Sequence, residues 1–287
     1  MKCFKFLEPK NLDDACKLLA EYGEDAKLIA GGQSLAILLR QGLIDPDYII
    51  NLKNLRELDY INYNKGILSI GALTSHNTIK KSPIVKKRCP LLVEAEQRLA
   101  HTQIRNWGTI GGNLSHADPA ADLAPPLIGL QAKVKVASVA GERSISINDF
   151  FIDMFTTALE ANEILMEIEI PDLPPHTGAA YRKETVIAGD YPLASVAAVV
   201  TLDDKLKEVR EARIALGGLG PTPFLAEELS NSMVGKKADD KLAQEAGAIA
   251  SRQVTPTGDV SASAEYKQEL AGLLTRHMIN LAIARAK

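Results

Sequence analysis

The chain has 287 residues, of which 46% are hydrophobic and 24% are charged, and its formal net charge is −3. This length suffices for one large domain or two ordinary ones, and the nearly balanced charge gives no case for nucleic acid or an anionic membrane as partner. No apolar run approaches the roughly 18 residues of a membrane span, and the first residues lack the apolar core of a signal peptide.

Cysteine and histidine usage argues against a metal site. The three cysteines, Cys3, Cys16 and Cys89, have no C-x-x-C spacing and are too few for a disulfide framework or a four-thiolate iron–sulfur site. No two histidines have metal-ligand spacing with a third partner. We therefore expect no metal in this chain, and a reducing, cytoplasmic setting.

The first half of the sequence alternates helix, strand and turn signals. Asn11 is placed to cap the first helix, and Gly23 to end it. The pattern predicts, in chain order, a helix over 12–22, a strand over 26–30, a glycine turn, a short helix over 35–42, and strands over 48–52 and 67–74.

A long helical stretch over 83–100 contains Pro90, which predicts a kink or two separate helices. A second glycine-rich segment over 105–126 follows and is interpreted as a loop. Short strands are predicted over 134–138 and 143–147. A third strand over 163–170 alternates apolar residues on one face, namely Ile164, Met166, Ile168 and Ile170.

The segment 171–178, which has three prolines, is the best linker candidate. Beyond it, three strand-like runs joined by hairpin-scale connections (179–184, 193–202 and 208–218) suit an antiparallel sheet. Three helical segments complete the chain, and the last is amphipathic. We predict an α+β fold with an N-terminal domain over 1–175 and a smaller domain of antiparallel sheet and helices over 176–287.

Two glycine segments have a similar composition. Ala30–Ser34 and Thr109–Asn113 each pair two adjacent glycines with a hydroxyl and a side-chain amide. Paired glycines permit positive φ and let a ligand approach the main chain, so that successive N–H groups can face an anionic oxygen. Two such segments in one domain favour a pyrophosphate, although a purely structural glycine turn remains an alternative for either.

Neither common nucleotide motif fits these segments. A P-loop requires a lysine followed by Ser or Thr, which the first segment lacks. A Rossmann fingerprint requires a third glycine and an acidic residue about twenty positions later, and both are missing. A passive dinucleotide such as FAD or NAD has neither requirement.

The motifs AGGQSL (30–35), IRNWGTIGGNLSHADPAAD (104–122), GDYPLASVAA (189–198) and the C-terminal TPTGDVSASAEYKQELAGLLTRHM occur in this order. Together they resemble the FAD-binding medium subunit of molybdenum hydroxylases, of the carbon monoxide dehydrogenase and quinoline oxidoreductase type. The resemblance covers essentially the whole chain. It implies a two-part FAD-binding domain of the vanillyl-alcohol-oxidase (PCMH) type, with subdomains of about 1–55 and 56–175, and a small C-terminal domain.

The resemblance also implies which residues bind the cofactor. Asp122 matches an acid that contacts it, Tyr191 an aromatic beside the flavin, and Arg182 and Lys183 lie near a basic position of the family. Other roles remain open for three of these residues: an N-cap for Asp122, a half-buried structural position for Tyr191 and a turn position for Asp190. Either Leu165 or Met166 matches an apolar contact position. The implied set is Leu28, Ile29, Ala30, Gly31, Gly32, Gln33, Ser34, Leu35, Thr109, Ile110, Gly111, Gly112, Asn113, Asp122, Leu165, Arg182, Lys183, Asp190 and Tyr191.

Gln33 stands where several relatives have histidine, so we expect non-covalent FAD at this loop. No catalytic triad or carboxylate pair is visible, which suits a protein whose chemistry belongs to its cofactor. The resemblance implies an electron-transfer subunit of a heterotrimer that forms a dimer of heterotrimers. Iron–sulfur clusters are expected on a small subunit and the molybdenum cofactor on a large subunit, and an external acceptor is expected to take the electrons. A stand-alone flavin reductase or oxidase, or a scaffold subunit without flavin, remain alternatives.

Overall fold

The computed structural model describes residues 3–287, and it begins with a small parallel sheet. The strand order is β1–β3–β2, and the Asn11 side chain accepts a hydrogen bond from the Asp14 amide, as expected for an N-cap. The elements of this part are β1 (Lys5–Leu7), α1 (Leu12–Tyr22), β2 (Ala26–Ile29), α2 (Leu35–Gln41) and β3 (Tyr48–Asn51).

The next part combines an antiparallel sheet in the order β4–β5–β10–β6–β7 with six short helices and a two-stranded hairpin. The helical stretch around Pro90 is two helices, because proline begins the second one at a position where no N–H is needed. The elements are β4 (Ile61–Asn64), β5 (Ile67–Gly71), α3 (His76–Lys81), α4 (Pro83–Arg88), α5 (Pro90–Arg98), α6 (Thr102–Trp107), α7 (Ile110–His116), α8 (Ala124–Gly129), β6 (Lys133–Ser138), β7 (Gly141–Ser146), β8 (Phe151–Asp153), β9 (Thr156–Thr157) and β10 (Ile164–Pro171).

Strand β10 differs from the predicted alternation. Its register against β6 shifts between Leu165 and Glu167, so the apolar positions before and after the shift do not share one face. Leu165 is buried, whereas Met166 is only partly buried. The bulge therefore turns Leu165, and not Met166, toward the cleft described below.

The proline-rich linker is shorter than the predicted 171–178. Pro171 still pairs with Ile67 at the end of β10, and Thr177 already begins the next strand. The C-terminal sheet has the antiparallel order β11–β12–β13–β14. The elements of this part are β11 (Thr177–Glu184), β12 (Ala194–Leu202), β13 (Val209–Gly217), β14 (Phe224–Leu225), α9 (Glu227–Met233), α10 (Asp240–Gln253) and α11 (Ala264–Ala286).

Strand β12 is buried at all nine positions because both faces of its sheet are covered. Val196, Ala198 and Val200 join the apolar core beneath α10 and α11. Ala197 and Val199 instead join the core of the preceding sheet and helices, against α8. The C-terminal sheet is thus shared by two hydrophobic cores.

Within residues 3–287, no helix is long and apolar enough to cross a bilayer.

Candidate functional site

The first glycine segment forms a tight turn between β2 and α2. Gly32 has a φ of +71°, which a side chain would strain. Gly31 has an ordinary φ, but a Cβ there would overlap the carbonyl oxygen of Trp107. The two glycines therefore have different roles. Gly32 permits the turn, and Gly31 lets the turn approach the end of α6.

Consecutive backbone N–H groups of this turn are free. In the described part of the chain, the amides of Gly32, Gln33 and Ser34 make no hydrogen bond to protein, and Ser34 does not cap α2 with its side chain. The Gln33 amide nitrogen donates to the Gly31 carbonyl at 3.2 Å and closes the turn on itself. Consecutive free amides of this kind are suited to an anionic oxygen.

The second glycine segment is not the predicted loop. Gly111 and Gly112 lie in the first turn of α7, and the Thr109 side chain caps this helix by accepting from the Gly112 amide at 3.1 Å. The amides of Ile110 and Gly111 donate to the carbonyl oxygens of Thr74 and Ala72. The expected row of free N–H groups is therefore wrong for this segment, because helix capping and tertiary pairing use them.

The second segment can contact a ligand through a side chain, that of Asn113, in place of backbone N–H groups. The Asn113 side-chain oxygen is buried and has no hydrogen-bond partner among the described residues. Because the O and N of a side-chain amide can exchange places by rotation, Asn113 can accept from or donate to a bound group. An orphaned polar atom in a ligand-sized cleft is evidence that a polar ligand completes the site.

Both segments line one cleft of about 710 Å³, a size typical of small-molecule and cofactor sites. Fifteen of the nineteen candidate residues lie in its wall: Leu28, Ala30, Gly31, Gly32, Gln33, Ser34, Leu35, Thr109, Gly111, Gly112, Asn113, Asp122, Leu165, Asp190 and Tyr191. Four do not, namely Ile29, Ile110, Arg182 and Lys183.

The two basic candidates have different surroundings. Arg182 is exposed and pairs with Glu184 at 3.5 Å. Lys183 is buried, and its ammonium donates to Asp122 Oδ2 at 2.8 Å and to the Asp190 carbonyl oxygen at 2.8 Å. Neither side chain forms part of the cleft wall.

Asp122 is held in a buried network and does not act as an N-cap. The residue preceding α8 is Leu123, and no side chain caps that helix. The Tyr181 hydroxyl donates to Asp122 Oδ1 at 3.0 Å, opposite the Lys183 bond. Burial raises the pKa of the Asp122 carboxyl, and Lys183 opposes that rise by stabilising the carboxylate.

Tyr191 is 60% exposed, so the half-buried structural reading is wrong. It lies in the connection between β11 and β12, at the mouth of the cleft. Desolvation of the phenol, followed by the charge and hydrogen bond of Asp118, raises the pKa of Tyr191 to about 12. An exposed aromatic ring at this position is available to a planar ligand.

This connection also touches the opposite wall. Gly189 has a φ of +93°, and a Cβ there would lie 2.5 Å from His101 Cε1. His101 belongs to a turn that Arg105 stabilises by donating to the carbonyls of Leu99 and Ala100.

Sequence reasoning missed several wall residues. Some lie inside the quoted motifs but have no role assigned from the sequence, namely Ile104, Gly108, Ser115, His116, Asp118, Ala121, Gly189, Leu193 and Ser261. The remainder lie outside these motifs, in segments that the fold brings to the cleft. They are Ile37, Leu38, Leu52, Ala72, Leu73, His76, Leu99, Ala100, His101, Ile164 and Val186.

No group of three or more His, Cys, Asp or Glu side chains between residues 3 and 287 is arranged to hold a metal ion.

Comparison with protein families gives two matches that follow each other along the chain. Residues 2–173 match the FAD binding domain in molybdopterin dehydrogenase, and residues 179–282 match the CO dehydrogenase flavoprotein C-terminal domain.

Individual relatives match over almost their full length. The chain is 37% identical to the glyceraldehyde dehydrogenase medium chain of Sulfolobus acidocaldarius, with 95% of each chain covered. It is 34% identical to the carbon monoxide dehydrogenase medium chain of Hydrogenophaga pseudoflava, with 98% of each covered. Among solved structures, quinoline 2-oxidoreductase from Pseudomonas putida 86 superposes with a TM-score of 0.93 at 35% identity, covering 100% of this chain and 99% of the other.

Proposed function

The chain belongs to the family of FAD-binding medium subunits of molybdenum hydroxylases, and on that premise we propose that residues of its cleft hold FAD without a covalent bond. The observation that carries the assignment of roles is the asymmetry of the two glycine segments. The free amides of Gly32, Gln33 and Ser34 are suited to the pyrophosphate. The orphaned Asn113 side chain is suited to a polar atom elsewhere on the cofactor.

The other wall residues divide into apolar and polar contacts. Leu28, Leu35 and Leu165 supply apolar surface, and Tyr191 supplies an aromatic face at the mouth of the cleft. Ile29 and Ile110 support the two segments from outside the cleft wall. Gln33 has a side-chain amide, which is not a nucleophile toward a flavin, so this loop forms no covalent bond to the cofactor.

When bound, FAD can accept electrons one at a time and release them as a pair. The chain is an oxidoreductase subunit, and the cofactors that begin the reaction belong to other subunits. We propose that an iron–sulfur small subunit delivers electrons, that a molybdopterin-binding large subunit oxidises the substrate, and that an external acceptor takes the electrons. A dimer of heterotrimers in the cytoplasm is the proposed assembly and location.

The names of the relatives support a division between this cleft and the substrate site. They refer to glyceraldehyde, carbon monoxide and quinoline, although the chains are similar over nearly their whole length. Such different substrates are consistent with a substrate site on another subunit, and with one shared electron-transfer role for this one.

The test is the visible absorption of the chain reconstituted with FAD and passed over a desalting column. We expect a flavin spectrum that stays with the folded protein, and complete release of FAD into the filtrate after heat or acid denaturation. Colourless protein would contradict FAD binding, and flavin that remains on the denatured polypeptide would contradict non-covalent attachment.

A further inference from the structure

Lys183 connects two parts of the molecule that meet at the cleft. It extends from β11 of the C-terminal sheet, and its side chain is 96% buried. One bond of its ammonium goes to Asp122 Oδ2 and the other to the Asp190 carbonyl oxygen, both at 2.8 Å. Asp122 precedes α8 in the FAD-binding part, and Asp190 directly precedes Tyr191.

We propose that Lys183 is a positioning residue, which fixes the β11–β12 connection over residues 185–192 and thereby holds Tyr191 at the mouth of the cleft. This inference rests on the proposed function in one respect, namely that the ligand facing Tyr191 is FAD. It differs from a direct contact between Lys183 and the cofactor, because Lys183 lies behind the wall that Asp122 and Asp190 form.

The connection has few other attachments. Its internal hydrogen bonds in the structure are Asp190 N to the Ile187 carbonyl at 3.1 Å and, at its base, Leu193 N to the Glu184 carbonyl at 2.8 Å. Val186 and Ile187 are each 63% exposed and contribute little packing. The buried, charge-assisted bond from Lys183 to the Asp190 carbonyl therefore restrains this segment, together with the close approach of Gly189 to His101.

Neutralisation of Asp122 alone does not explain the geometry. The second Lys183 bond goes to a backbone carbonyl, which adds nothing to the charge balance of Asp122. Tyr181 also donates to Asp122, but it makes no bond to the connection. A lysine suits this position because its compact ammonium has three donors and can serve both acceptors at once.

The first test is hydrogen–deuterium exchange of the FAD-free chain, read on a peptide that covers residues 185–193. In Lys183→Met we expect the amides of Asp190 and Leu193 to exchange on the order of tenfold faster, because local opening no longer breaks a charged bond. The double variant D122N/K183M avoids stranding a buried carboxylate and should show the same acceleration. Lys183→Arg should restore much of the protection, and the control Tyr181→Phe should stay within about twofold of the wild type.

The second readout is the fluorescence of bound FAD, since a phenol stacked on an isoalloxazine quenches its emission. Lys183→Met should raise the emission toward that of Tyr191→Ala, and should add nothing in the Tyr191→Ala background. Amide exchange that is unchanged in both Lys183→Met and D122N/K183M would overturn the inference. It would also be overturned if Tyr181→Phe accelerated the exchange as much as Lys183→Met does. If the wild type binds no FAD, the proposed function fails, and the exchange experiment still decides the role of Lys183.

Discussion

Charge at the cleft is carried by few side chains. Among the wall residues of the described chain there is no lysine or arginine, while Asp118, Asp122 and Asp190 are present. Asp122 is neutralised from behind by Lys183. The proposed pyrophosphate contact at the first turn therefore relies on backbone N–H dipoles and neutral side-chain donors, and the consecutive free amides of that turn suit it.

For the neighbours Arg182 and Lys183, the local sequence does not determine which side chain is buried. Successive side chains of a strand point to opposite faces, so one of the two had to be buried if β11 had one covered face. The local sequence does not say which, because the buried carboxylate that selects Lys183 is 61 positions away. The family resemblance brought both to attention, but only the fold separates an exposed arginine from a buried lysine.

At the same scale, the tyrosine at the mouth of the cleft makes a pH prediction. The phenol of Tyr191 should titrate near pH 12 and not near 10, in the difference absorbance between the wild type and Tyr191→Phe. Because its folded pKa is raised, its contribution to stability is complete below pH 10 and is lost between pH 10 and 12.

In Asp118→Asn the Tyr191 midpoint should fall only part of the way toward 10, because desolvation is the larger cause and the Asp118 charge the smaller one. A wild-type midpoint at 10, unchanged in Asp118→Asn, would show that Tyr191 does not contact Asp118.

Single elements were predicted well wherever their signals are local. The first turn lies between a strand and a helix as predicted, and its sequence carries the cause, namely adjacent glycines before an apolar helical run. The second glycine segment was predicted wrongly as a loop. Its helix depends on pairing of residues 108–111 with residues 72–76, which no local pattern reveals. The bulge in β10 escaped prediction for the same reason.

Helix α7 offers a matched pair of variants at this scale. A Cβ on Gly111 would lie 2.6 Å from Ala72 Cβ and 2.8 Å from the Ala72 carbonyl oxygen, so Gly111→Ala must move α7 away from the end of β5. We expect a loss of about 1–3 kcal/mol in the free energy of unfolding, measured by urea denaturation, despite the better helix propensity of alanine.

Gly112→Ala is the control for that variant. A Cβ there meets only the rotatable Thr109 hydroxyl at 2.9 Å, and displacing this cap costs about 1 kcal/mol or less. Equal destabilisation by the two variants would contradict the close packing of α7 on Ala72.

The whole molecule behaves as one packed unit around the cleft. Because the C-terminal sheet contributes side chains to two cores, the cleft walls from both parts are held in a fixed relation. The order of the motifs allowed the fold class and the FAD role to be predicted from the sequence. The cleft wall itself could not be listed in full, because it joins segments as distant as Leu28 and Ser261.

The most direct test of the central claim, that the first turn holds FAD through its backbone, is calorimetric titration of the FAD-free chain. Gly32 and Gly42 flank α2 and have nearly equal φ values of +71° and +70°, but only Gly32 lies in the cleft wall. Alanine at either position strains the backbone by about 1–2 kcal/mol. We predict one FAD per wild-type chain, binding about tenfold weaker or worse in Gly32→Ala, and affinity within about twofold of the wild type in Gly42→Ala. No FAD binding by the wild type, or equal weakening in the two variants, would contradict the account.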